Sequence, residues 1–478
     1  MWERVRSCTL AIVGALLIAS STAAAPRALP SEVEAALERA KLPRDSLVVV
    51  VQEVGARTPR LAWQAQRPVN PASLMKLITT DAALDLLGPA WTWTTPVWLR
   101  GTVHDGVLDG DLVIKGSGDP TLVLERVWLL LRRVQQLGVR EIRGDIVLDR
   151  NAFSVPEQSP ADFDGEALRP YNVRADALLL NYRSLVFTFT PDPARGVALI
   201  STDPPLAGVR ADLSVPLASG SCGDWRAALK ADFSDATRPR FTGSYPGVCG
   251  EQHWPVAHAD PKSFNERMLA GLWSEMGGLL RGSVHDGVAP ATPPTFEVQS
   301  PTLGEVVRDI NKYSNNVMAQ QLFLTLALLQ RGQGTPEAAR EVLALWLAER
   351  FGSIAQGTVI DNGSGLSRDT RVSAQLLARV LQDAWTSSVM SELMSSLPVS
   401  GIDGTLRRSN APIGRAHLKT GSLRDVAGVA GYVLSAGGRR FVLVAIVNHP
   451  NANAARPALD ALVKWAAVDA RPEPKTTE

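Results

Sequence analysis

The sequence predicts an α+β chain: an antiparallel sheet built from early and late strands, flanked by helices, with a large β-rich insertion between its halves. Three observations lead there. The opening of the chain alternates helical and strand patterns, and the end gives three strand-like runs and then a helix. Between them, from about 95 to 295, helical periodicity becomes scarce, and short β-like runs sit among Pro, Gly and Asp clusters. Helices at both termini can then cover a sheet that closes the chain on itself, leaving the middle outside it.

In order, SEVEAALERAKL (31–42) has helical spacing with Ser31 as N-cap, and SLVVVVQEVG (46–55) reads as a buried strand. RLAWQAQ (60–66) is its expected hairpin partner. A helix follows from Pro71 to about Leu87, with Asn70 as cap and Pro71 in the first helical position. Within the insertion, GDLVIKG (110–116) and LVFTFTP (185–191) read as strands, and a subdomain from 181 to 255 is expected to be nested there. Helical patterns return at 303–330 and 373–385. AHLKTGSL (416–423) and two strands joined at Gly437-Gly438 lead into a final helix, RPALDALVKWAA.

With 478 residues the chain is too long for one core, and two to four domains are expected. A formal charge of +1, from nearly equal basic and acidic counts, points to no nucleic acid and no acidic membrane face. The N-terminus has the three parts of a cleaved secretory signal ending near Ala24: basic MWERVRS, apolar CTLAIVGALLIAS and small-residue STAAAP. No later stretch is apolar enough to span a membrane. Cys8 falls inside the signal, so the mature chain keeps Cys222 and Cys249. In an oxidising compartment these are expected to pair, stabilising by about 3 kcal/mol. Two distant cysteines without a histidine cluster make a metal site unexpected.

Three short motifs carry chemistry. Ser73 and Lys76 are three apart, so on a helix the amine reaches the hydroxyl; apolar neighbours and a second cation can lower the lysine pKa from about 10.4 until it serves as a base. Lys76 is the only one of nine lysines with serine three residues before it. Ser314, Asn315 and Asn316 form a Ser-x-Asn at the head of a helix, where a hydroxyl can relay a proton and an amide can hold both the lysine and a substrate amide. Lys419, Thr420 and Gly421 lie in a strand-like segment: the cation can fix a carboxylate, Thr420 can bond it, and Gly421 lets a substrate backbone lie along the strand edge. The amides of Ser422 and Ser73 can form an oxyanion hole. Each motif alone has a plainer explanation: a lysine snorkelling from an apolar stripe, a helix cap, or a guard on an edge strand. A second Ser-x-Asn also occurs at Ser263 and Asn265.

Their conjunction and order overturn those explanations, because Ser-x-x-Lys, a Ser-x-Asn element and Lys-Thr-Gly together are the signature of penicillin-binding proteins and class A β-lactamases. The six histidines sit in no recognisable motif and no Gly-x-Ser-x-Gly elbow is present, so a Ser-His-Asp triad has less support. The chain resembles the class C low-molecular-mass penicillin-binding proteins, the D-alanyl-D-alanine carboxypeptidase and endopeptidase family of the penicillin-binding protein 4 type. KGSGDPTL (115–122), DNGSGLSRDTRVSAQLL (361–377) and LPVSGIDGTLRRS (397–409) add to the resemblance, which spans nearly the whole mature chain. The 241 positions between Ser73 and Ser314 discriminate most, since this family carries two extra domains there.

The resemblance implies a penicillin-binding/β-lactamase-like transpeptidase domain with a helical subdomain (25–95 and 296–478), an inserted domain (96–180 and 256–295) and the nested subdomain (181–255). It implies Ser73 as the acylated nucleophile and Lys76 as its base. Ser314 and Asn316 shuttle protons and position substrate, and Lys419 and Thr420 bind the terminal carboxylate. Peptidoglycan muropeptides are the implied substrates, β-lactams the covalent inhibitors, the periplasm the location, and no cofactor is required. The family's acidic substrate contact matches no residue cleanly; Asp164 and Glu166 are both candidates. A serine β-lactamase with unusual insertions and a non-catalytic wall-binding protein remain the alternatives.

Overall fold

The computed structural model describes residues 28–468; the signal sequence expected over residues 1–24 lies outside them. Its first sheet has strands β1 (Leu47–Glu53), β2 (Leu61–Trp63), β3 (Ala416–Leu423), β4 (Val426–Leu434) and β5 (Arg440–Asn448), all antiparallel in the order β3-β4-β5-β1-β2. Valines at 48 to 51 form a continuous run because both faces are covered. Val49 and Val51 face a layer formed by helices α1 (Ser31–Arg39) and, at the C-terminus, Arg456–Val468. Val48 and Val50 face a helical layer that includes α2 (Met75–Leu87), α3 (Leu303–Tyr313) and α4 (Asn316–Arg331).

Two starts differ from expectation. Ser31 does not cap α1: Pro30 occupies the N-cap, and the Ser31 hydroxyl donates to Glu32 instead. The helix after Asn70 begins as a 3₁₀ turn, Ala72–Leu74, and becomes α-helical only at Met75.

The region from 94 to 299 holds a seven-stranded mixed sheet, built on the hairpin Thr94–His104 and Val107–Lys115, and a five-stranded sheet from Ser184 to Ala257. One apolar cluster joins the two sheets, running from Val97 and Leu112 to Phe187, Phe189 and Tyr245. Cys222 and Cys249 are disulfide-bonded in the second sheet's loops. Helices are more prominent here than the sequence texture suggested: Leu124–Gln136 and Phe264–Glu275 both pack into this cluster. The first is amphipathic, with Val127, Leu130, Leu131 and Val134 buried at helical spacing, so its stripe was present in the sequence and was passed over among the surrounding strand-like runs. Ser263 and Asn265 begin the second, where Asn265 Nδ2 donates to Leu178 O in the interior. Among the described residues no helix is long and apolar enough to cross a membrane.

Candidate active site

Ser73 sits on a turn that its neighbours pin from both sides. Asn70 Oδ1 accepts from Ala72 N at 2.9 Å, and Asn70 Nδ2 donates to Ser367 O at 2.8 Å. Asn448, at the end of β5, bonds both the N–H and the C=O of Asn70. The turn places Ala72 at φ +47°, a left-handed conformation that a residue with a side chain adopts only under constraint. Ser73 is thereby presented half-buried two residues before α2, with Lys76 in the first turn of that helix.

Lys76 has no exposed surface. Its Nζ lies 3.0 Å from Ser73 Oγ, 2.6 Å from Asn316 Oδ1 and 2.6 Å from the carbonyl oxygen of Ser364. The amide and the carbonyl oxygens are acceptors only, so both must receive N–H groups. A neutral amine then has one lone pair left, directed at the Ser73 hydroxyl, whereas a protonated one has a third N–H there. Burial, and after it the charge of Lys419, push the Lys76 pKa well below the ordinary lysine range. Among the described residues no carboxylate bonds to Nζ to oppose that shift.

The Ser314-Asn315-Asn316 element divides its labour. Asn315 is the N-cap of α4, its side chain accepting from Met318 N. Ser314, held at φ +58° at the corner between α3 and α4, accepts from Lys419 Nζ at 2.7 Å. Asn316 accepts from Lys76 and, through Nδ2, donates to Tyr171 O at 3.4 Å. Capping and site-building thus coexist on adjacent residues.

Lys419 is also fully buried, and burial pushes its pKa down to about 7. Its Nζ donates to Ser314 Oγ and to Thr420 O. On the outer edge of β3, Leu418 N donates to Pro398 O. The two-residue alternation of a strand turns the N–H groups of Thr420 and Ser422 to that same edge. Thr420 Oγ1 donates to Thr405 Oγ1 at 2.7 Å, and Ser422 is exposed. Gly421 has a structural task as well: a Cβ there would lie 2.7 Å from Pro71 O, so the glycine admits the serine-bearing turn against the strand. Gly365 has the same effect from the other side, with a Cβ position 1.9 Å from Ala72 O.

Sequence reasoning missed Ser364, whose contribution is a backbone carbonyl, although the stretch around it, DNGSG, had been singled out. Asp164 accepts from Tyr171 Oη and Asn172 Nδ2 in the loop that approaches Asn316, and Glu166 is exposed beside Arg169. Cys222 and Cys249 lie in the insertion, apart from these groups. Among the described residues no cluster of potential metal ligands occurs.

A five-stranded antiparallel sheet with terminal helices on one face and a helical layer on the other, the two buried lysines set at its edge, defines the penicillin-binding class of α+β fold. The chain belongs to the D-Ala-D-Ala carboxypeptidase 3 (S13) family, whose model matches residues 29–468; it is therefore a hydrolase of the carboxypeptidase type. It is 28% identical to the D-alanyl-D-alanine carboxypeptidase of Actinomadura sp. (strain R39) over 439 residues, 87% of this chain and 80% of that protein. In structure it is similar to penicillin-binding protein 4 (dacB) from Haemophilus influenzae, with a TM-score of 0.70 at 21% identity over 90% of this chain and 99% of that one. A penicillin G-acylated predatory endopeptidase from Bdellovibrio bacteriovorus, in complex with an immunity protein, matches at a TM-score of 0.52 and 15% identity over 88% and 91% of the two chains.

Proposed function

We propose that the chain is a periplasmic D-Ala-D-Ala carboxypeptidase and muropeptide endopeptidase that works through an acyl-enzyme on Ser73 and is inhibited by penicillin. The observation that carries this reading is the Lys76 amine: fully buried, bonded to two obligate acceptors, and 3.0 Å from the Ser73 hydroxyl. Lys76 takes the Ser73 proton as Oγ adds to the penultimate D-alanine carbonyl. The N–H groups of Ser73 and Ser422 hold the oxyanion. The C–N bond then breaks, and the departing amine, of D-alanine or of a cross-linked neighbour, receives a proton through Ser314. Water hydrolyses the ester, returning the proton to Ser73 and leaving a carboxylate on the stem peptide. Lys419 and Thr420 bind the terminal carboxylate of the carboxypeptidase substrate, at the free edge of β3 where an extended peptide adds as a strand.

The test is mass spectrometry of the purified protein with penicillin, combined with release of D-alanine from isolated muropeptides. A stoichiometric adduct on Ser73, lost in Ser73→Ala with the fold retained, is expected. No adduct and no D-alanine would sink the proposal, and an adduct that hydrolyses in a fraction of a second would mark a β-lactamase instead.

A further inference from the structure

The loop whose Tyr171 carbonyl meets Asn316 has a second side. Behind it lies a cavity of about 640 Å³, within the size range of small-ligand sites, and every residue lining it falls between Leu148 and Gly287. Neither Ser73 nor either catalytic-side lysine reaches it. Its acidic groups are already matched: Arg150 and Arg183 share Asp176, Arg150 also holds Asp286, and Lys262 holds Glu157 at 2.5 Å.

Arg174 is the most loosely held of the cavity's cations. Its nearest carboxylate, Asp162, is 4.0 Å away, and its Nη2 donates only to Ser159 O at 3.0 Å. The Nε atoms of Arg174 and Arg183 are buried with no partner among the described residues, and so is Nε2 of His258, a residue 4% exposed. Buried donors are seldom left unmatched without a reason. Arg183 is delivered to this wall by three successive left-handed residues, Asn181, Tyr182 and Arg183, at φ +43°, +51° and +45°, a run that persists only where the surroundings enforce it. One loosely paired cation, with its Nε unpartnered, and apolar walls that include Phe153, Val155 and Ala175 match one carboxylate on a small apolar residue.

We infer that this cavity is a second binding site, for a carboxylate-bearing peptide of the wall polymer, separate from the catalytic cleft. The ligand class rests on the muropeptide reading above. A bound peptide would be tied to the cleft mechanically: Asp176, three residues from Val173 and two from Arg174, has its backbone N–H and C=O both held by Gln321, on the same helix as Asn316.

The experiment is isothermal titration of the full chain, after penicillin has filled the cleft, with a stem tetrapeptide ending in D-alanine and with its fully amidated form. One equivalent of the acid is expected to bind, with the amide at least tenfold weaker. Arg174→Gln is expected to weaken the acid at least tenfold, Arg174→Lys less, and both to leave D-alanine release from a short pentapeptide within twofold. No binding to the acylated protein, equal binding of acid and amide, or unchanged binding by Arg174→Gln overturns the inference. The acid-to-amide comparison needs no variant, so a poorly folded Arg174→Gln does not blunt the test. If penicillin forms no adduct, the acyl-enzyme reading fails, and the same titrations on Lys419→Ala protein still decide the cavity.

Discussion

Three lysines are buried around the first sheet, and two of them are treated differently from the third. Lys312, at the end of α3, donates to Leu397 O at 2.7 Å and forms an ion pair with Asp403 at 2.6 Å. Lys76 and Lys419 have the same burial but only neutral oxygens: an amide, hydroxyls and backbone carbonyls. The first is a strut that ties α3 to the loop after residue 397. The other two keep their ammonium forms uncompensated, so burial lowers both pKa values and the charge of Lys419 lowers Lys76 further. What separates the two kinds of buried lysine is the withheld carboxylate rather than burial alone.

That difference can be broken most sharply by supplying the missing charge. Asn316→Asp places a carboxylate about where Oδ1 now accepts from Lys76. Acylation by penicillin at neutral pH is expected to fall about 10²- to 10³-fold. The rising limb of its pH profile should move to higher pH, because the pair holds the proton on Nζ. Stopped-flow acylation across pH checks both, and a loss without a shifted limb would refute the role of Lys76 as base.

Next in size, Lys419→Ala is expected to cost substrates with a free terminal carboxylate about a hundredfold in kcat/KM, while amide-blocked analogues change little. Equal losses would remove Lys419 from carboxylate binding. Lys312→Met strands Asp403 and is expected to destabilise by about 2 kcal/mol in urea unfolding, moderated because Asp403 is partly exposed. Lys419→Met, which strands no charge and only the neutral oxygens of Ser314 and Thr420, is expected to destabilise less than Lys312→Met at pH 7.

The smallest effect is on the pH dependence of stability. The unfolded chain holds the Lys419 proton up to about pH 10.4, whereas the folded protein releases it near 7. Between these values the unfolded state binds more protons, so stability rises with pH across that window. The penalty of the buried cation is fully present below about 7. Thermal unfolding from pH 7 to 10 is expected to show this slope reduced in Lys419→Met and preserved in Lys312→Met.

The lysine spacing and the final hairpin were legible because they depend on side-chain identity and period. Ser73 and Lys76, three apart, need only a helical step, and β4 and β5 announce themselves as apolar runs about a glycine turn. The Ser364 carbonyl was not legible, since every residue has one and only the fold selects which meets Nζ. The packing role of Gly421 was not legible for a related reason. A missing Cβ marks a close approach, and the partner, Pro71 O, lies some 350 positions earlier. The division of labour in Ser314-Asn315-Asn316 likewise required the αL corner at Ser314, which places neighbouring side chains toward two different lysines.

The sheet order has a consequence for the timing of the chain's life. In β3-β4-β5-β1-β2, the first strand to be synthesised borders the last, and β1 lacks its long partner until residues 440–448 exist. The serine turn is likewise held by Asn448, beyond every other residue of the site. On the acyl-enzyme reading proposed above, a chain cut short before Asn448 lacks the clamp on the serine turn, and Ser73 is not yet presented for attack. On that reading, completion of the polypeptide is itself the activating event.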